Sequence, residues 1–319
     1  MIDVIVTRKK READGIFSFE LARTDGAPLA PFSAGSHIDV HLGSGLVRQY
    51  SLCNHPDEQV RYQIGVLLDP ASRGGSRAMH ALQEGSVVQI SEPRNLFALA
   101  HGARRSLLFA GGIGVTPILC MAERLAQIDA AFQLHYCGRS VASVAFIERI
   151  QHSRFAEQAH LHFDDQPETR LDAVKALSGY CEGDHLYVCG PGGFMAFILE
   201  QARLAGWPED SLHREYFAAP PQSQAVAQAD DGSFEVVLAS SGRCFVVPAD
   251  DSVAQVLLEN GIDLPLSCEA GICGTCLTRV LEGEPDHRDM FMTPAEQALN
   301  DQFTPCCSRS KSPRLVLDL

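Results

Sequence analysis

Apolar and polar residues alternate in six short segments over the first hundred positions: 2–6, 16–21, 37–42, 49–52, 62–68 and 87–90. Gly, Pro, Asn and Asp separate them, which predicts a small antiparallel barrel over residues 1–102, with one short helix at 76–82. From residue 106 the period changes. Apolar runs at 106–110, 132–136, 160–163 and 185–189 are each followed by a helical pattern, at 117–127, 141–150, 171–177 and 194–204. That alternation predicts a parallel sheet with helices on both faces over 103–220, its ligands bound at the carboxyl ends of the strands. Residues 218–232, AAPPQSQAVAQADDG, hold few large apolar groups and read as an interdomain linker, assigned to 221–232. In the remaining stretch, 233–319, a hairpin (234–238 with 244–247), a helix (253–259) and strands at 277–281 and 315–317 predict a ferredoxin-like α+β sheet.

Cysteine spacing adds chemistry to this outline. Cys268, Cys273 and Cys276 lie on one short loop, and Cys306 follows after 29 further residues. Intervals of four and then two residues, with a distant fourth thiol, are those of the plant-type 2Fe-2S ligand loop, whereas a zinc site more often brings two close pairs. Gly271 and Gly274 let backbone N–H groups turn towards sulfur. Cys307 adjoins Cys306 but does not keep the interval, and is read as packing. The six thiols outside this group read as small apolar residues. His160 and His162 share a strand face with no evident third ligand and read as a solvated face. The triplet His287-Arg288-Asp289 reads as loop structure near a docking surface.

A formal net charge of -14 excludes the usual nucleic-acid binder, which neutralises phosphates with Lys and Arg patches; it permits docking on a basic protein surface. The first ten residues, MIDVIVTRKK, lack the apolar core of a signal peptide, and no apolar run reaches the roughly 20 residues that span a bilayer. Eleven cysteines, an odd number, fit free thiols in a reducing compartment, so a cytoplasmic protein with no membrane partner is expected.

Four polar motifs stand out. Arg48-Gln49-Tyr50-Ser51-Leu52 and Arg73-Gly74-Gly75-Ser76 offer a guanidinium and successive glycine N–H groups at a helix start, a combination suited to a phosphate. Taken alone, Arg48 also reads as a surface charge and Tyr50 as a core aromatic. Ala110-Gly111-Gly112-Ile113-Gly114-Val115-Thr116-Pro117 closes the first parallel strand. Thr116 is read as a helix cap and Pro117 as the first helical residue, although a tight turn with no ligand satisfies the same residues. Cys189-Gly190-Pro191 closes the last strand predicted.

Arg-x-Tyr-Ser-Leu followed by Gly-Gly-Ser resembles the flavin domain of the ferredoxin reductase superfamily. The resemblance implies that Arg48, Gly74, Gly75 and Ser76 hold the flavin phosphate, that Tyr50 and Ser51 border its ring, and that the backbone of Gly65, Val66 and Leu67 lies beside the ring's polar edge. It also implies that Gly112, Gly114 and Thr116, with Cys189, Gly190 and Pro191, receive the nicotinamide nucleotide, and that Phe217 lies near the flavin face. Ser51, Cys189 and Phe217 are expected beside the hydride path. The three parts in this order are similar to the phthalate dioxygenase and vanillate demethylase reductases, which serve two-component Rieske oxygenases. That family implies a flavin barrel, a nucleotide domain and a 2Fe-2S domain, with FMN favoured over FAD. NADH is favoured over NADPH, although no acidic residue directly follows the second parallel strand and Arg139 is available to a 2'-phosphate. Electrons are then expected to pass from NADH through flavin and cluster to an oxygenase. An electron-transfer subunit of another flavoenzyme and a non-enzymatic redox sensor are the alternatives; the 29-residue interval counts against the first.

Overall fold

The structure, a computed structural model, describes residues 1–43, 45–70, 72, 74–217 and 232–319, in two compact units, Met1–Tyr216 and Phe217–Leu319. Arg73 and nearly all of the expected linker (221–231) lie outside the described residues.

The first unit opens with seven antiparallel strands: β1 (Ile2–Ala13), β2 (Ile16–Arg23), β3 (Ser36–His41), β4 (Val47–Ser51), β5 (Tyr62–Leu67), β6 (Val87–Ile90) and β7 (Arg94–Asn95). Their order is β4-β3-β6-β1-β2-β5, with β7 beside β3. Inward-facing Val4, Val6, Phe19, Leu21, Ile38, Val40, Ile64, Val88 and Ile90 fill the interior. Helix α1 (Gly75–Ala81) adds Met79 to that core. Because β4 and β5 end the sheet, closure depends on how they meet. One bridge, Leu52 to Ile64, and the Cys53 N–H donated to Gln63 O at 2.8 Å join them. Beyond that bridge β4 and β5 form no ladder with each other among the described residues, so the barrel has a seam.

The same unit continues as five parallel strands, β8 (Arg105–Gly111), β9 (Phe132–Gly138), β10 (Ala159–Phe163), β11 (Asp184–Cys189) and β12 (Leu212–Glu215), in the order β10-β9-β8-β11-β12. Between them lie α2 (Val115–Gln127), α3 (Ile147–Gln151), α4 (Ala173–Leu177) and α5 (Gly192–Leu204). Alternate strand residues feed two cores. Leu108, Ala110, Leu134 and Tyr136 meet α2 and α3, whereas Leu107, Phe109, Leu186 and Val188 meet α4 and α5, as the helix-on-both-faces pattern requires. Ile16, Ala34, Cys53 and Phe97 of the barrel share the α2 core, which joins the two sheets into one body.

Two expectations change. The predicted helix over 141–150 is broken: a 3-10 turn at Val141–Ser143, closed by reciprocal Ser140 and Ser143 caps, gives way to extended backbone and to Phe146 at φ +62°. The break turns the Phe146 ring into the core beside Gly65, a burial that outweighs helix continuity. β12 was not apparent in the sequence, because its four residues, LHRE, show no apolar alternation.

The second unit carries β13 (Phe234–Leu238), β14 (Cys244–Val247), α6 (Val253–Glu259), β15 (Thr278–Glu282), β16 (Pro285–Asp286), α7 (Pro294–Gln297), β17 (Gln302–Phe303), β18 (Arg309–Ser310) and β19 (Arg314–Leu317). Its main sheet runs β14-β13-β19-β15-β17, with β13 and β19 parallel and the other pairs antiparallel. Ser252 caps α6 by accepting the Gln255 N–H, and Val253, Val256 and Leu257 seal the sheet face. Among the described residues no helix is long and apolar enough to cross a membrane.

Candidate functional site

At the barrel seam, strand β4 holds Arg48, Tyr50 and Ser51. The Arg48 side chain runs across Gly75 at the start of α1: a methyl group on Gly75 would lie 2.5 Å from Arg48 Cγ. Arg48 and the Gly74-Gly75-Ser76 turn are thus brought together, an arrangement that fits a phosphate group. Ser76 Oγ accepts the Asp69 N–H at 3.1 Å, so its hydroxyl also closes the loop before the helix. On the facing edge, Gly65 and Val66 are buried and Leu67 is exposed. The Val66 carbonyl is in contact with His80 Nε2 at 3.0 Å, so part of this backbone edge is already taken.

The nucleotide loops meet where the strand order reverses, between β8 and β11. Gly114 packs against the Cys189-Gly190 peptide so closely that a methyl group there would lie 2.3 Å from the Cys189 carbonyl oxygen. This backbone-to-backbone contact lies at the carboxyl ends of the strands, where α/β sheets bind nucleotides. The structure corrects the reading of Thr116. Helix α2 begins at Val115 after a 3-10 turn at Gly112–Gly114, and no side chain caps it. Thr116 lies inside the first turn, buried, and donates its hydroxyl to Ile113 O at 3.1 Å, while its methyl faces Gly65 of the barrel. Its role is to join the two sheets at the point where the two sites adjoin.

One residue at this junction was missed as a site residue. Glu215 ends β12, in register with Cys189 of β11, and Ser51 of the barrel donates its hydroxyl to Glu215 Oε2 at 3.2 Å. Three strands distant in sequence thus bring a hydroxyl, a thiol and a carboxyl together. Burial raises the Glu215 carboxyl to about 8, with the Ser51 hydrogen bond acting in the opposite direction. Cys189 is fully buried, and burial with the Glu215 charge beside it raises its thiol well above the usual range. It is unsuited to be a nucleophile. Phe217, 42% exposed, opens the second unit and makes no ring contact among the described residues. The signal for Glu215 was its place at the carboxyl end of a strand, but that strand has no pattern.

Tertiary structure also supplies the acidic residues absent after β9. Asp164 and Asp165 follow β10, and their N–H groups bond to Gly138 O and Arg139 O at 3.0 and 3.2 Å. Both aspartates are exposed beside the end of β9.

In the second unit, Cys268, Cys273 and Cys276 ride on a loop whose backbone faces their sulfurs. Ala270 N donates to Cys268 Sγ at 3.4 Å and Thr275 N to Cys273 Sγ at 3.5 Å. Contacts from the sulfurs of Cys273 and Cys306, with N–H groups of Ile272 and Ala270, pull the Cys268 thiol well below its ordinary range, towards the thiolate a metal requires. Cys306 Sγ approaches Cys268, Cys276 and Cys307. Cys276 and Cys306 pack with Ala254 of α6, and the Ala254 N–H binds Pro305 O, which fixes the distant fourth thiol beside the loop. The sulfurs follow one another in a chain of contacts, and among the described residues no three His, Cys, Asp or Glu side chains surround a single ion. A binuclear cluster, which divides four thiolates between two irons, fits such a spread. Cys307 also lies against this loop: its sulfur meets that of Cys306, Thr304 Oγ1 lies 3.2 Å from it, and a methyl group on Gly271 would sit 2.4 Å away.

Comparison with known proteins agrees with this geometry. Residues 236–311 match the 2Fe-2S iron-sulfur cluster binding domain, and residues 90–212 the N-terminal domain of proteins like the dimethylamine monooxygenase subunit DmmA. A vanillate O-demethylase oxidoreductase of Pseudomonas putida is 62% identical over 321 residues, covering all of both chains. Its counterpart in Acinetobacter baylyi is 50% identical over all of this chain and 99% of its own. Among solved structures, phthalate dioxygenase reductase, described as modular for electron transfer from pyridine nucleotides to 2Fe-2S, aligns at 36% identity with TM-score 0.74, over all of this chain and 98% of that one. An intact type IV self-sufficient cytochrome P450 monooxygenase aligns at 38% and TM-score 0.88, but this chain spans only 41% of that longer polypeptide. By its full-length identity with these relatives the chain belongs to the family of vanillate O-demethylase and phthalate dioxygenase reductases, flavin- and iron-sulfur-dependent oxidoreductases that pass electrons to an oxygenase.

Proposed function

We propose that this chain is the NADH-dependent reductase of a Rieske-type oxygenase that O-demethylates vanillate or a similar methoxylated aromatic acid. The observation that carries the reading is one chain that brings Ser51, Cys189 and Glu215 together at the carboxyl ends of the parallel strands and also holds Cys268, Cys273 and Cys276 on one loop with Cys306 beside it. Flavin and cluster, when bound, convert a two-electron donor into single electrons. The chain's residues supply position. Arg48, Gly74, Gly75 and Ser76 hold the flavin phosphate; Tyr50, Ser51 and the backbone of Gly65, Val66 and Leu67 flank its ring. Gly112, Gly114, Thr116, Gly190 and Pro191 shape the nicotinamide site, with Cys189 at its floor and Phe217 beside the flavin face. Cys268, Cys273, Cys276 and Cys306 ligate the cluster.

The domains we assign are 1–102 for flavin, 103–220 for the nucleotide, 221–232 as linker and 233–319 for the cluster, in a cytoplasmic protein. FMN is favoured over FAD by the family. NADH is favoured over NADPH because Asp164 and Asp165 stand beside the end of β9, where they repel a 2'-phosphate and accept from a ribose hydroxyl. Replacing both with Asn should narrow the NADH preference in kcat/KM by about tenfold. The direct test is an absorption spectrum of the purified protein with mass analysis of the released flavin and assay of iron and sulfide, followed by vanillate demethylation with the oxygenase added. Flavin bands without iron or sulfide would overturn the reading.

A further inference from the structure

The triplet His287-Arg288-Asp289 lies against the ligand loop. Met290 N donates to Gly271 O at 2.9 Å, and a methyl group on Gly271, between Cys268 and Cys273, would stand 3.0 Å from Asp289 Cα and 2.4 Å from Cys307 Sγ. On its other side, Arg288 N donates to Ser308 Oγ at 3.2 Å, so the triplet also grips the turn that carries Cys306. Asp289 has a fully buried side chain. Its Oδ2 accepts the Met292 N–H at 2.7 Å, but Oδ1 has no hydrogen-bond partner among the described residues. His287 Nδ1, 3.7 Å away, is within ion-pair range of it when protonated but beyond hydrogen-bond reach. The neighbouring Arg288 guanidinium donates Nε to Asp286 at 2.7 Å. The charge of a carboxylate in a low-dielectric interior is screened less from charge nearby than it would be in water.

We propose that Asp289 is a positioning and tuning residue for the cluster, whose buried charge holds the reduction potential low so that an electron leaves readily for the partner. The physical reason is repulsion. An added electron increases negative charge on the cluster and its thiolates, and hydrogen bonding and burial around the sulfurs are recognised controls of that potential. The inference rests on Cys268, Cys273, Cys276 and Cys306 being the ligands; iron and sulfide content tests that reading separately from the potential.

The experiment is a redox titration of the purified full-length holoprotein, followed by the spectrum of the reduced cluster. Asp289→Asn keeps an acceptor for Met292 and removes the charge, so the midpoint should move upward at unchanged iron and sulfide. Asp289→Glu should return it towards the parent value. Asp286→Asn, which removes a partly exposed carboxylate already paired with Arg288, should move it far less. An unchanged midpoint in fully loaded Asp289→Asn protein overturns the proposal, as does an equal shift in Asp286→Asn. Loss of iron from both Asp289 variants makes the residue a structural brace only. If Asp289→Asn alone loses iron, the Glu variant decides: a midpoint as low as the parent's supports the proposal, and a raised one sinks it.

Discussion

The two redox regions of this protein are built in opposite ways. The cluster site is a contiguous loop, with three of its four thiols within nine residues and the sulfurs addressed by that loop's own N–H groups. The proposed hydride junction is assembled from β4, β11 and β12, whose contributing residues, Ser51, Cys189 and Glu215, are up to 164 positions apart. A contiguous site depends on a few side chains; a distributed one depends on how closely its supporting backbones approach. Substitutions should therefore act all-or-none at the first and by degrees at the second.

The largest effect is expected at Cys306. Cys306→Ala should abolish electron delivery to the oxygenase while NADH still bleaches the flavin in stopped-flow absorbance, and loss of both half-reactions would show that the two regions are not separable. Next comes Gly114→Ala, which sets a methyl group against the Cys189 carbonyl. Overpacking against backbone should cost about 3 kcal/mol, read as a lower Tm, with a raised KM for NADH because the nucleotide loops must part. Alanine at Gly192, where a methyl group meets nothing, is the matched control.

Glu215 should reveal itself through pH. Its folded value of about 8 lies above the ordinary carboxyl 4.5, so the folded state keeps a proton that the unfolded chain gives up. The associated stability is complete below about pH 4.5 and is lost as pH rises towards 8. At the proposed nicotinamide site, ionised Glu215 would stabilise the positive charge that the ring develops as it gives up hydride, so NADH-dependent flavin reduction should speed up through pH 8. Glu215→Gln should flatten both profiles; a surviving inflection in the reduction rate would assign it to another group. The smallest effect is Ser51→Ala. Losing the hydrogen bond to Glu215 should slow flavin reduction about fivefold and move the inflection upward, and an unchanged rate would remove Ser51 from the hydride path.

The order of an antiparallel barrel, an alternating α/β layer and a ferredoxin-like sheet was legible in the sequence because strand and helix periods write local burial directly into residue order. Every parallel strand but β12 was found this way, and the iron-sulfur domain was legible from cysteine spacing, since thiols on one loop need no distant partner to be recognised. Helix 141–150 failed for the converse reason: the Phe146 ring answers to Gly65 across the barrel boundary, not to its own helix. Glu215 and the Asp164-Asp165 pair were silent because strand register and turn geometry, not neighbours in sequence, bring them to Cys189 and to Arg139. The sequence by itself thus determined most element types, their order and the cysteine spacing that marks an iron-sulfur domain. Only the tertiary structure decided which groups surround the hydride path and which carboxylate lies beneath the ligand loop, because long-range packing sets burial, and burial sets what a carboxyl can do.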